Sequence, residues 1–425
     1  MKHTMSWFAL VPTLALIGAC APASEGSSGG DGNNTGGSSA SAGGSGQGAG
    51  DTSSTGFENG VGGSTASGTN CNAGPDEDQD GDGFTINQGD CNDCDANVNP
   101  NAVEVITDPN GTGGGEPAAP ADENCDGQID EPPAPCDSAL AVDSNDPNDA
   151  ARAVGLCKFA SSPTDWGVVS ATWVSVDGSA ASADPDYPLG HGMLSAFGST
   201  ISPREGGRIL GLSSGSARQP TDPGYKSVLG FDKGYTSGSP AGFPKESPAC
   251  PNVTTGTPHD GAAVQVEVRV PTNAHGFSFD FDFYTYEWPG YVCSKYNDFF
   301  VAILDPVPVG QSDGNISFDQ LGNPVSVNNA FVQVCGCASG PPCTAGGKSF
   351  TCALGNGELA GTGFESHAAT SWLSTTAPVD PGSTIKIRWG VYDSGDGVLD
   401  STTLVDNWKW IADPGTTVGT NPVPQ

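Results

Sequence analysis

Asp78, Asp80 and Asp82 stand one residue apart, with Gly81 and Gly83 interleaved and Phe84 following. Alternating aspartates with glycine between them let successive carboxylates bend round one centre, which is how oxygen cages for hard divalent cations are built. The three acids fall at the first, third and fifth positions of an EF-hand loop, Gly83 at its turn position and the Phe84 carbonyl at the seventh. The register then fails, because Gly89 takes the twelfth position and the next acid, Asp90, the thirteenth. No pair of amphipathic helices flanks the run either, so the spacing predicts a calcium loop outside the regular EF-hand, with Asp90 among its ligands. Asp93, Asp95 and Glu104 are expected in a second loop with Asp126 and Asp130. Glu131 is a weaker candidate that can equally face solvent. From Cys71 to Cys136 there is no histidine and no methionine, so copper fits poorly and calcium is the expected cofactor. The alternative is an acidic loop that holds no ion.

The surrounding charge points the same way. Between His3 and Ala151 there is no lysine or arginine but 24 aspartates and glutamates, sixteen of them from Cys71 to Cys136. Carboxylates that dense repel one another unless cations sit among them. The net charge of −34 leaves no basic stripe to meet phosphate, which excludes nucleic acid as a partner. It also disfavours electrostatic attraction to anionic lipid headgroups.

These residues need elements to position them, and the chain supplies five segments. Residues 1–19 read as a signal peptide, since Phe8 to Ile17 is apolar but too short to span a bilayer. Ile17-Gly18-Ala19-Cys20 resembles the bacterial lipobox, which implies that Cys20 carries the diacylglycerol and starts the mature protein. Residues 20–70 are mostly Gly, Ser, Thr, Ala and Asn with almost no apolar content, a tether with a root-mean-square span of about 40 Å. Residues 71–136 form the acidic module. Phe84, Ile86, Val98, Val103, Val105, Ile106 and Ile129 cannot make an ordinary core, so ions and disulfides must staple it. Asn110 to Glu116 is expected as an exposed Gly-rich loop. Of thirteen cysteines, twelve remain beside Cys20, an even number that predicts six disulfides or a subset of them in an oxidising compartment. Cys335, Cys337, Cys343 and Cys352 suit disulfides better than zinc, given their irregular spacing.

Residues 137–412 change texture. Asp146-Pro147 predicts a helix start, with a short helix running through Ala150, Ala153, Val154 and Leu156. Strands follow. Val264, Val266, Val268 and Val270 alternate with polar residues, as do Phe277, Phe279, Phe281 and Phe283, and then Ile385, Ile387, Trp389 and Val391. Period-two patterning places each set on a buried sheet face with the other face in water. The expected fold is all-β, an antiparallel β-sandwich, jelly-roll-like, preceded by the small loop-rich calcium module. Residues 413–425 read as a flexible Pro/Thr/Gly tail.

Two further resemblances attach to these residues. The acidic loop looks like those of thrombospondin type 3 repeats, and more closely like the cysteine-containing metal-binding motif of exported myxobacterial proteins. That pattern appears as Asp78 to Phe84, Gly89 to Asp93, Val98 to Glu104 and Asn124 to Glu131. Cys94 is an extra cysteine, and Val105-Ile106-Thr107 with the Gly-rich loop replaces the usual continuation. Ile209 to Gly215, Phe277 to Glu287, Lys295 to Phe300 and Trp389 to Ser401 resemble the choice-of-anchor L domain, loosely over residues 165–412. That resemblance implies a surface-displayed sandwich with no catalytic activity. Within its phrases, Glu287, Asn297, Asp298, Asp393, Asp396 and Asp400 lie at strand ends and could converge on one rim as a second-domain metal site. They equally suit ordinary turns.

His191, His259, His275 and His367 stand in no HExxH pair, and no serine stands in a GxSxG elbow, so each histidine reads as an ordinary core or surface residue. Tyr284, Tyr286, Trp288 and Tyr291 could stack on a carbohydrate, although such runs more often pack a strand. The expectation is therefore a lipid-anchored, calcium-binding lipoprotein of a Gram-negative outer membrane, facing the periplasm or the cell surface. It is expected to act in adhesion or as a structural protein, with an unknown surface glycan or protein as partner and the membrane held through its lipid. The alternative is an exported hydrolase or glycan-active enzyme, which paired carboxylates about 5 to 10 Å apart in a cleft would favour.

Overall fold

A computed structural model of the chain describes residues 74–105, 120–328, 331–337 and 340–424. All of them lie in the unit Val61–Gln425. The signal peptide, Cys20, the tether, Cys71 and the Gly-rich loop fall outside the described residues.

The acidic module has no strand and no α-helix among its described residues, only a 3-10 turn at Ile86–Gln88 closed by Gly89 in the left-handed region (φ 103°). Its interior is small. Val98 and Ala102 are buried beside Asp90, Asp93 and Asn99, while Ile86 and Ile129 are exposed. Cys91–Cys125 staples it, and Cys94 is also disulfide-bonded. The module is also tied to the larger domain C-terminal to it. Asn273 accepts from the Val103 N–H at 3.0 Å and donates to the Val103 carbonyl at 2.8 Å, pairing like a strand neighbour. Thr272 donates to Asn99 at 3.0 Å, and Asn101 to the Thr164 carbonyl at 2.9 Å. Cys136 pairs with Cys157, so the expected boundary at residue 136 is crossed by a covalent bond.

Helix α1 (Pro147–Ala153) begins as expected, with Asp146 as cap accepting from Asn148 N and Pro147 at the first position. Ala150, Ala153, Val154 and Leu156 are buried against the sandwich. Fourteen strands follow among the described residues: β1 (Gly167–Val174), β2 (His191–Leu194), β3 (Ile209–Ser213), β4 (Pro258–Arg269), β5 (Gly276–Thr285), β6 (Phe299–Asp305), β7 (Val334–Cys335), β8 (Cys343–Ala345), β9 (Lys348–Phe350), β10 (Ala368–Ala369), β11 (Leu373–Pro378), β12 (Thr384–Ser394), β13 (Ser401–Ile411) and β14 (Gly419–Pro422). One layer is the sheet β1-β4-β12-β6 and the other β14-β11-β5-β13-β3-β2, with β10 beside β5 and β7 beside β10, while β8 and β9 pair on their own; all of these pairs are antiparallel. The fold is an all-β antiparallel sandwich.

Its core is where the alternation placed it. Val264, Val266 and Val268 on β4, the four phenylalanines of β5 and Ile385, Ile387, Trp389 and Val391 on β12 form one cluster between the sheets. Phe279 meets Trp389 edge-on at 5.6 Å, and Phe281 packs on Phe300 at 4.7 Å, joining the layers.

Two expectations are corrected. The opposite face of β5 is not in water, for Asp280 and Asp282 are 4% and 0% exposed. A second small core, including Phe197, Phe364 and Trp372, covers that face. Arg204 there neutralises Asp280 at 2.6 Å, and Thr370 donates to Asp282 at 3.1 Å. The tail is not free, because residues 419–422 form β14 along β11 and fill an edge that would otherwise expose unpaired backbone. Tyr284 and Trp288 are buried, in line with the commoner packing role of such a run, so Tyr284, Tyr286, Trp288 and Tyr291 make no open stacking platform.

Candidate metal centres

The first cage is built by the backbone. Gly81 and Gly83 take positive φ (84° and 97°), which turns their N–H groups onto the two oxygens of Asp78 at 2.8 and 3.1 Å. Asp80, Asp82 and Asp90 each accept one backbone N–H two residues on, at 3.2, 2.8 and 2.8 Å. Such turns fix each carboxylate by one oxygen and leave the other to point inward. The Oδ2 atoms of Asp80, Asp82 and Asp90 are buried and have no hydrogen-bond partner. Oxygens of Asp78, Asp80 and Asp93 lie within 4.8 Å of one another, and so do those of Asp80, Asp82 and Asp90. Asp80 belongs to both sets. Burial first, and then the neighbouring charges of Asp82, Asp93 and Asp78, raise its carboxyl above the ordinary value.

The structure groups Asp93 with this first cage, where it accepts from Gln79 N at 2.9 Å, and not with a second loop. Asp95 accepts from the N–H and side-chain amide of Asn97, closing its own turn, and joins no cage. Phe84 keeps the seventh place, its N–H given to Asp82.

The second cage joins Glu104, Glu123 and Asp130, whose oxygens also close to within 4.8 Å. Glu104 reaches across the module, accepting from Asn124 N and Asp130 N at 3.0 Å each. Burial and then the Glu131 and Glu123 charges push its carboxyl up to about 7. No sequence signal marks Glu123 as a member. Asp126 is exposed and bonded to Gln128, outside the cage. Glu131 accepts from Asn124 at 3.0 Å with one oxygen, and its other is buried without a partner.

At one end of the sandwich the strand-end residues do gather. Glu287, Asn297, Asp298, Asp393 and Asp400 are each at most 2% exposed, while Asp396 is half-buried. Burial first, then Asp393 and Asp396, push the Glu287 carboxyl up to about 9. Burial also drives Asp298, Asp393 and Asp400 well above the usual carboxylate range. Among the described residues, no three rim acids close within 4.8 Å as those of the module do.

The cysteines whose spacing argues against zinc pair as Cys335–Cys352 and Cys337–Cys343, and Cys250 pairs with Cys293. His191 stacks on Trp173 at 3.7 Å and His367 on Tyr286 at 3.4 Å, both in packing roles.

With the sheets and their rim placed, comparison with known families gives a match to part of the chain. Residues 212–407 match the choice-of-anchor L domain. The matched segment runs from within β3 to within β13, so it holds most of both sheets and all six rim residues. The choice-of-anchor L match marks the chain as a surface-associated, extracellular protein. No curated protein matches the chain.

Proposed function

We propose that the chain is a calcium-stabilised surface protein, held to the outer membrane by a lipid on Cys20 and acting in adhesion or surface interaction through its choice-of-anchor L sandwich. The observation that carries the calcium reading is the first cage. Its aspartates each give an oxygen to the backbone, and three of them turn a second, unpartnered oxygen inward. A buried carboxylate with no donor is costly unless a cation replaces the water it lost. Oxygen-only ligands in a flexible loop suit calcium over a transition metal. The Glu104 cage offers a second ion place of the same chemistry. The lipid reading rests on Ile17 to Cys20 and on the extracellular character of the matched domain. Calcium titration of the full chain against Asp80→Ala tests the cage, and acyl labelling of Cys20→Ser tests the anchor. A processed Cys20→Ser protein that still partitions into detergent would overturn the anchor.

A further inference from the structure

The gathered end of the sandwich poses a charge problem that the protein alone does not solve. Antiparallel pairing brings the end of β5 and the start of β13 together in one sheet, and the end of β12 and the start of β6 in the other. Glu287 follows β5, Asp400 precedes β13, Asp393 ends β12, and Asn297 with Asp298 precedes β6. Ser401 on β13 donates to Asp298 at 2.7 Å, so the two sheets already touch at this point.

Hydrogen bonding is incomplete where the charge is densest. Neither carboxylate oxygen of Asp400 has a partner, nor does Glu287 Oε2 or Asn297 Oδ1, and Asp393 has within reach only Ser214 and Asp298, itself an acid; all these atoms of Asp393, Asp400, Glu287 and Asn297 are buried. The Ser214 hydroxyl near Asp393 is committed to the Ser401 carbonyl. Gly215 is packed so tightly on Asp400 that an added methyl would overlap its carboxylate. The wall of the site is therefore shaped around that carboxylate. Lys233 is buried on the Asp400 side and offsets one of these charges while its ammonium donates to the Ser213 and Gly215 carbonyls at 3.2 and 3.1 Å, which leaves the remaining acids unbalanced.

A proton shared between Asp393 and Asp298 would relieve part of the repulsion, yet protonating Asp400 would leave its new O–H with no acceptor. A hard cation answers both demands, since it neutralises charge and takes up several oxygens at once. The backbone brings these residues together: Tyr286 N donates to the Asp400 carbonyl at 3.1 Å, and Asp298 accepts from both Ser394 N and the Ser401 hydroxyl, the neighbours of Asp393 and Asp400. The donors are carboxylate and amide oxygens, which suit a hard cation, and magnesium would keep waters that a buried site excludes.

We propose that this end of the sandwich binds a calcium ion through Glu287, Asp393 and Asp400, with Asn297 and Asp298 completing the oxygen set, and that the ion ties the two sheets together. Binding draws in carboxylates that stand further apart than those of the acidic module. The site shares no residue with that module and stands or falls without it.

The test is the calcium content of the full chain after equilibrium dialysis, for wild type, Asp393→Asn/Asp400→Asn, Asp80→Ala/Glu104→Gln and the combination. The expected result is one calcium fewer per chain in Asp393→Asn/Asp400→Asn, added to whatever loss Asp80→Ala/Glu104→Gln causes. Equal content in wild type and Asp393→Asn/Asp400→Asn overturns the proposal. Should that double variant not fold, Asp80→Ala/Glu104→Gln alone decides. Calcium must still raise its melting temperature, and magnesium must not. No shift with calcium, or an equal shift with magnesium, overturns the assignment.

Discussion

Asp80 is the residue on which the first cage turns, because both of its sets of close carboxylate oxygens include it. It touches no apolar core, so Asp80→Ala removes a ligand without opening a cavity. The expected loss in calcium affinity is about ten- to a hundredfold, since ligand charge tunes such sites over decades. Isothermal titration of the full chain reads it. Glu104 makes a second, pH-dependent prediction. Its carboxyl is raised from 4.5 to about 7, so without metal the fold keeps a proton that the unfolded chain releases. Stability of the calcium-free protein should therefore fall as pH rises between those two values, and Glu104→Gln should flatten that slope. Urea midpoints in chelator across the range check it. The aspartates of the first loop are legible in the sequence because their spacing is local, one ion centre per few residues. Glu123 is not, since its partner Glu104 lies across the module and no spacing marks the pair. Spacing puts Asp93 in the wrong loop for the same reason, its contact being with Gln79 fourteen residues back.

Elements divide in the same manner between local and distant causes. The cap at Asp146 and the alternation on β4, β5 and β12 are local, and the structure follows them. Asp146→Ala should cost about 1 kcal/mol, the usual value of a lost helix cap, read from denaturant unfolding. What alternation could not show is what lies over the outer face of β5. Asp280 and Asp282 look like solvent residues, but the Arg204 loop and Thr370 supply their partners from far along the chain. Residues 419–422 likewise look like tail and become a strand only because β11 offers them an edge. The docking of the acidic module depends on one side chain in a similar way. Asn273→Ala leaves both backbone groups of Val103 without their partner, at a cost of about 1–3 kcal/mol. Faster proteolysis within residues 74–136 in Asn273→Ala than in wild type is the expected sign.

Across the whole molecule, the net charge of −34 makes the fold depend on what neutralises it. Disulfides and the sandwich core hold the larger domain, whereas the described residues of the module bury only Val98 and Ala102 among their apolar side chains, beside a ring of acids. A ligand that binds only the folded form adds RT ln(1 + [L]/Kd), about 2.7 kcal/mol per site at a hundredfold excess, which is large for so small a core. The most direct measurement is calorimetric titration of the full chain with calcium, paired with thermal melts in calcium and in chelator. The expected result is a binding heat that Asp80→Ala weakens, with a higher melting temperature in calcium than in chelator. Absence of any calcium heat, together with identical melts in the two conditions, would contradict it and leave the acids as solvated surface.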